Sequence, residues 1–278
     1  MKPSRIITIF LISLTLLLAG CQAIRLNLPL LAPTASVMVM PTPSAVAPTA
    51  VAPVATVQAV PTPTAAPTIP VYAPVIDPAD FVKGVNNPYY PLKPGRTMSY
   101  TGKKGKVSLR EQVVISKKTR VVMGVTCMEV ADSVWEGGKL AQKTLKWYAQ
   151  DKEGNVWYFG ADAKQYKNGK VSGMAGSWQA GAGGAQPGIM MLAHPTRGDT
   201  YRQDYLKGVV EDMAYVVSLD GALKVPYHAY KNLLITLNWS NLTPGVIENR
   251  YYAKNVGFVY SEMVQGGKGE LKLVKIKK

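Results

Sequence analysis

The chain has 278 residues, with 32 Lys plus Arg against 17 Asp plus Glu and a formal net charge of +15 at neutral pH. Its 2 cysteines exclude a disulfide framework, and its 2 histidines leave His194 and His228 as the only imidazoles available for acid-base or metal chemistry. The basic balance suits an anionic surface or polymer as partner. No nucleic-acid-binding motif accompanies the charge, so nucleic acid is set aside.

The chain opens with Lys2 and Arg5, an apolar run from Ile6 to Leu18, and the small pair Ala19-Gly20. That order is the layout of an export signal over residues 1–20. A helix needs roughly 20 apolar residues to cross a ~30 Å hydrocarbon core, so the run is too short to be an anchor. Leu18-Ala19-Gly20-Cys21 resembles the lipobox of bacterial lipoproteins. The resemblance implies that the Cys21 thiol receives a diacylglyceryl group and becomes the first residue of the mature chain. Each buried methylene contributes about 0.8 kcal/mol, and two or more acyl chains, of the palmitate type, anchor stably where one does not. The expected location is therefore the bacterial cell envelope, on the extracytoplasmic face of a membrane, with the membrane itself as partner through the lipid on Cys21.

Residues 21–76 follow as a tether. From Leu26 to Ile76 there is no charged residue, and Pro, Ala, Thr and Val dominate. Recurrent prolines fix φ and remove backbone donors, so neither a helix nor a central strand runs through such a segment. An extended spacer, in part polyproline II at about 3.1 Å per residue, is expected.

Residues 77–278 form the body, long enough for one domain with its own core. Lys2, Arg5 and Arg25 precede it, which leaves 29 basic residues against 17 acids, a net of +12. Lys103, Lys104 and Lys106, then Lys117, Lys118 and Arg120, then Lys272, Lys275, Lys277 and Lys278 carry much of this charge. Solvated turns and protected edges account for most such clusters, with an anionic envelope polymer as the alternative. With Cys21 lipidated, Cys127 has no partner and reads as a buried, inert thiol.

The body alternates with a period of two. In LLITLNWS (233–240), Leu233, Ile235, Leu237 and Trp239 share one face while Thr236, Asn238 and Ser240 share the other. TLKWYAQ (144–150) behaves likewise. Other strand candidates are RTMSYT, VSLREQVVIS, VTCMEVADSVW, NVWYFG, TYRQDY, DMAYVVSL, VIENRYYA, GFVYSEMV and GELKLVKI. KKGK, EGGK, DKEGN, KNGK, SLDGA, LTPG, KNVG and QGGKG read as the turns between them. The predicted class is all-β: an antiparallel meander forming a curved sheet, half-barrel or barrel. LKWYAQDKEGNVWYF and ENRYYAKNVGFVYSE echo one another, as two equivalent hairpins of one sheet would.

FVKGVNNPYYPLKPGRTMSY, WYAQDKEGNVWYFG, AQPGIMMLAHPTRGDTYRQDY and LTPGVIENRYYAKNVGFVY resemble stretches of a family of uncharacterised bacterial secreted proteins and lipoproteins. The likeness covers nearly all of residues 80 to 264. It implies a β fold, with PLKPG leading into a first hairpin and YYAKNVG closing a last one. It implies no catalytic residue.

No phosphate loop, nucleophile elbow, paired-cysteine motif, zinc-protease motif or calcium loop occurs, and no cofactor is expected. The irregular stretch GMAGSWQAGAGGAQPGIMMLAHPTRGD (173–199) reads as a long glycine-rich loop, which in compact domains tends to cover or bind something. Trp178, Gln186 and His194 on this loop, with Arg202, Asp204, Glu211 and Asp212 beyond it, are the candidate ligand-binding residues. In TYRQDY, alternation places Tyr201, Gln203 and Tyr205 on one face and Arg202 and Asp204 on the other. That shared face lets Arg202 and Asp204 pair beside His194 arriving from the loop, with Asp199, Glu211 and Asp212 nearby in sequence. An imidazole with two such carboxylates forms a workable metal-ligand or acid-base set. Tyr148, Trp157 and Tyr166 are candidates for an exposed stacking platform. Three functions fit: a non-catalytic lipoprotein binding a small ligand or envelope partner, an envelope hydrolase or metal-binding protein using His194, and a structural envelope protein. The first is favoured, because no nucleophile or metal motif is present.

Overall fold

The computed structural model describes residues 72–278. The signal segment, Cys21 and the tether up to residue 71 lie outside them. After a single 3-10 turn at Pro78–Asp80, the strands in chain order are β1 (Phe81–Val82), β2 (Thr97–Lys104), β3 (Val107–Val122), β4 (Val125–Glu136), β5 (Lys139–Asp151) and β6 (Val156–Lys167). Then come β7 (Lys170–Gly173), β8 (Trp178–Gln179), β9 (Gln186–Met191), β10 (Thr200–Arg202) and β11 (Asp204–Tyr205). The last five are β12 (Asp212–Lys224), β13 (Ala229–Ser240), β14 (Ile247–Ala253), β15 (Gly257–Gln265) and β16 (Gly269–Lys277). All pair antiparallel in one 16-stranded sheet, which curls into a nearly closed barrel, as the alternation and glycine turns predict.

Two meanders build the sheet. One runs β2-β3-β4-β5-β6 and continues to β9 and β11; the other runs from β10 through β12-β13-β14-β15-β16. The meanders join where β16 pairs with β2, Lys277 opposite Thr97. They meet again at the other side through six consecutive residues. Thr200–Arg202 pair with β12, while Asp204–Tyr205 pair with β9. Gln203 stands between the two pairings and donates its backbone N–H to Asp212 O at 2.8 Å. Gly188 on β9 permits this seam. A Cβ there would lie 2.4 Å from the carbonyl carbon of Gln203 and 2.6 Å from Arg202 O.

The structure departs from the sequence reading in four places. SLDGA is no turn: it lies within β12, whose pairing with β13 shifts register around Ser218 and Gly221. The Ile235 side chain comes within 2.7 Å of where a Gly221 Cβ would stand, so the glycine marks a bulge. The chain reverses instead at residues 225–228. The stretch 173–199 is no single loop, since β8 and β9 within it pair with β6. YYAKNVG forms the β14–β15 turn, and one further hairpin follows it. Finally, residues 72–76, placed in the tether by composition, carry contacts to the domain. Tyr72 donates its hydroxyl to Pro187 O at 3.0 Å, and Ile76 packs on the main apolar cluster.

The alternation in β13 holds, but its polar face is the one turned inward. Thr236, Asn238 and Ser240 are 1%, 2% and 1% exposed, whereas Ile235, Leu237 and Trp239 are half-buried. Two apolar clusters fill other parts of the interior. The larger is centred on residues such as Tyr148, Val156, Phe159 and Met191, the smaller on Tyr100, Leu233, Leu271 and Leu273. Cys127 belongs to the larger cluster, and burial pushes its thiol up to about 12.

Candidate functional site

A half-open cavity of about 100 Å³ lies inside the barrel. A water needs roughly 10–15 Å³ on this scale, so the space takes several waters or one small organic molecule. Three adjacent strands build its charged wall. Glu111 on β3 stands opposite Val134 on β4; Asp132 lies two residues before Val134, and Lys146 on β5 stands opposite Val130. A period of two turns all three inward along a diagonal, where cross-strand neighbours lie within side-chain reach. The Lys146 ammonium donates to Asp132 Oδ2 at 2.6 Å. Arg250, from β14, completes the charged lining and donates from Nε to Glu248 Oε2 at 2.7 Å.

Glu111 is the anomalous group. It is 5% exposed and its Oε2 has no donor partner. Burial raises its pKa well above the ordinary carboxylate value, and the charge of Asp132 raises it further, against a smaller opposing effect of Lys146. Burial and Asp132 thus favour the protonated form of Glu111, which shares a hydrogen bond with Asp132. For Arg250, burial works against the charge, but Glu248, Tyr252 and Asp212 together outweigh it and keep the guanidinium protonated.

The rest of the lining is apolar and aromatic, and the echoing hairpins supply much of it. Tyr148 on β5 faces Tyr158 across one hairpin, and Tyr252 on β14 faces Phe258 across the other. Each tyrosine sits at a register shift. Tyr148, Tyr252 and Phe258 all line the cavity. Tyr100 on β2, whose Cα partner is Glu111, joins Phe258 with ring centroids 5.3 Å apart. The segment NPYYPL adds Tyr90, Pro91 and Leu92. Asn87 fixes that segment by donating from Nδ2 to Gly154 O at 2.9 Å and Leu192 O at 3.0 Å, and by accepting from the backbone N–H of Tyr89. Burial raises the hydroxyl pKa of Tyr90, Tyr100 and Tyr148 well above normal, so these groups stay protonated donors.

A second polar group lies on the inner surface near the seam. Two of the candidate residues, Asp204 and Asp212, meet there, with the Asp212 backbone N–H donating to Asp204 Oδ1 at 2.8 Å. Burial raises both carboxyls; the charge of Asp212 adds to the effect at Asp204, and Asp212 reaches about 6. Asn238 Nδ2 donates to Gln203 Oε1 at 3.1 Å and Thr236 donates to Asn238 Oδ1 at 2.7 Å, which extends the network along β13.

The other candidates stand apart from this network. Arg202 is half-buried over the rings of Tyr72 and Tyr205, with centroids at 5.2 and 4.7 Å. The expected faces of TYRQDY are broken at Gln203, where the strand changes partners and both Gln203 and Asp204 turn inward at 1% exposed. Trp178 is buried edge-on against Tyr158, and half-buried Gln186 pairs with Tyr205. Glu211 accepts from the Gly208 backbone N–H at 2.9 Å. His194 is exposed, and among the described residues no group of three His, Cys, Asp or Glu side chains is placed to hold a metal ion. Tyr148, read as a platform residue, is 1% exposed. Trp157 is half-buried and donates its indole N–H to Asp151 Oδ2 at 2.8 Å, and Tyr166 is half-buried. Glu111, Asp132, Lys146 and Arg250 were missed. Their signal is a charge falling in phase with apolar inward residues, as Glu111 does with Leu109, Val113 and Ile115.

No family model matches the chain, and no curated protein shows significant similarity to it. Two crystal structures resemble it. One is a protein of Bacteroides fragilis NCTC 9343, inferred to be exported and of YmcC-like fold, with TM-score 0.41 and 16% identity over 68% of this chain and 99% of that one. The other is a protein of Parabacteroides distasonis ATCC 8503, inferred to be a lipoprotein, with TM-score 0.38 and 11% identity over 68% of this chain and 98% of that one. A likeness at this level says nothing about chemistry.

Proposed function

We propose that the chain is a lipid-anchored protein of the bacterial cell envelope whose barrel binds a small ligand without transforming it. The observation that carries this reading is the cavity itself. Interiors of small barrels are normally filled by side chains at close packing, yet here about 100 Å³ stays open beside buried charges and tyrosine hydroxyls. Such a mixture, mostly apolar with a few placed polar groups, is what small-molecule sites share. The anchor rests on Leu18-Ala19-Gly20-Cys21 and the tether.

Two experiments test the halves separately. Full chain purified from its own membranes is expected to carry a stoichiometric small molecule in native mass spectrometry, and Val113→Trp, which fills the cavity, to lose it. A wild-type protein that carries none, or a variant that keeps it, overturns the binding reading. Cys21→Ser is expected to leave the membrane fraction; a variant that stays there with its signal removed overturns the anchor.

A further inference from the structure

Resting on that ligand-binding reading, we infer that the cavity takes a small organic cation, an ammonium group no larger than that of choline, caged by tyrosine rings and held by Glu111. Three observations converge on this class. The first is the carboxyl Glu111, lining the cavity with an oxygen that no donor reaches. Its neighbour Asp132 already has a counter-ion in Lys146 at 2.6 Å, and Arg250 is committed to Glu248 at 2.7 Å. The cavity's two cations are therefore neutralised, and the remaining charged-group chemistry is that of an acid.

The second is the aromatic lining. Tyr100 lies against Phe258 at 5.3 Å, Tyr252 against Phe258 at 5.9 Å, and Tyr90 against Tyr148 at 5.4 Å. Electron-rich rings around a desolvated site attract a cation and give a neutral group of the same shape only contact area. The third is the fate of the alternatives. A carboxylate guest would meet the acids Glu111 and Asp132, and an uncharged guest would offer the Glu111 carboxyl no opposite charge.

An arriving ammonium favours the ionised form of Glu111, opposite to the effect of burial and Asp132, so binding is linked to proton release. The charged and titratable groups that surround this carboxyl are Asp132 on β4, Lys146 on β5, Glu248 on β14 and Tyr100 on β2.

Three probes of one shape separate the possibilities when added to the full chain: choline, its uncharged carbon isostere 3,3-dimethylbutan-1-ol, and the anion 3,3-dimethylbutanoate. Choline is expected to raise Tm and bind at least about tenfold more tightly than the isostere. Its binding enthalpy should vary with the ionisation heat of the buffer, as proton release requires. Glu111→Gln should lose most of this preference and the proton release while keeping its response to the isostere. Phe258→Leu should weaken choline more than the isostere, and it decides the matter if Glu111→Gln does not fold. If the isostere or the anion binds as tightly as choline, the cation class is wrong while ligand binding stands. If none of the three shifts Tm or gives heat, the cation proposal is overturned, and the native mass spectrometry above decides the ligand-binding reading separately.

Discussion

Along β6 the buried residues are Val156, Tyr158, Phe159, Gly160, Ala161 and Ala163, none with a charged or amide side chain; along β13 and β14 they include Thr236, Asn238, Ser240, Glu248 and Arg250. One barrel thus buries its two walls by different physics. The β6 wall gains roughly 25 cal/mol for each Å² of apolar surface withdrawn from water, so it answers to volume. The β13–β14 wall gains little net from each ion pair or hydrogen bond, because desolvation offsets it, so it answers to whether every partner is present. The two walls should therefore fail differently when cut.

The largest effects are expected where each wall is cut at its centre. Arg250→Met leaves Glu248 buried without its partner and should cost about 3–5 kcal/mol in denaturant unfolding, while Arg250→Met with Glu248→Met recovers most of that loss. Phe159→Ala should cost a similar ~3–5 kcal/mol, with no second substitution that repairs it except one restoring volume. If the Arg250 and Glu248 changes simply add, the polar wall is no network and the contrast collapses. A smaller loss, about 1–3 kcal/mol, is expected for Gly188→Ala, because the new methyl group forces the seam strand away from β9. Hydrogen exchange of the Gln203 and Tyr205 amides should then rise well before that of β4 or β5.

The mildest test is pH. Asp212 is raised from 3.8 to about 6 by burial, so between those values the folded state holds a proton that the unfolded chain has released. Stability from this group is present at low pH and falls as pH rises through that window. Asp212→Asn should therefore be more stable than wild type at pH 8, and the difference in Tm between them should shrink towards pH 4. A difference that grows on acidification would reverse the assignment of Asp212 as a burdened acid.

The strands were legible because period-two alternation and glycine turns are local, and β4, β5, β13 and β15 fall where the pattern puts them. What the pattern does not say is which face turns inward. In β13 the apolar face looks like the core side, yet closure into a barrel with a polar interior reverses it. Gly221 could not be told from a turn glycine, since its role depends on Ile235 of the next strand. The candidate site divides in the same way. Asp204 and Asp212 are close in sequence and stood together among the candidates, whereas Arg250 joins Glu111, Asp132 and Lys146 only after a long excursion of the chain. Charge in phase with apolar neighbours was the one available hint.

The pairing of β16 with β2 also governs timing. Thr97 and Lys277 are register partners at opposite ends of the domain, so neither meander can lose its open edge on this side until the final strand has been delivered. Pairings this distant in sequence form slowly and late. A chain emerging amino-terminal end first would thus remain unsealed on this side until β16 has emerged. Deleting residues 269–277 should leave two long bare strands, β2 and β15, free to pair with neighbouring copies.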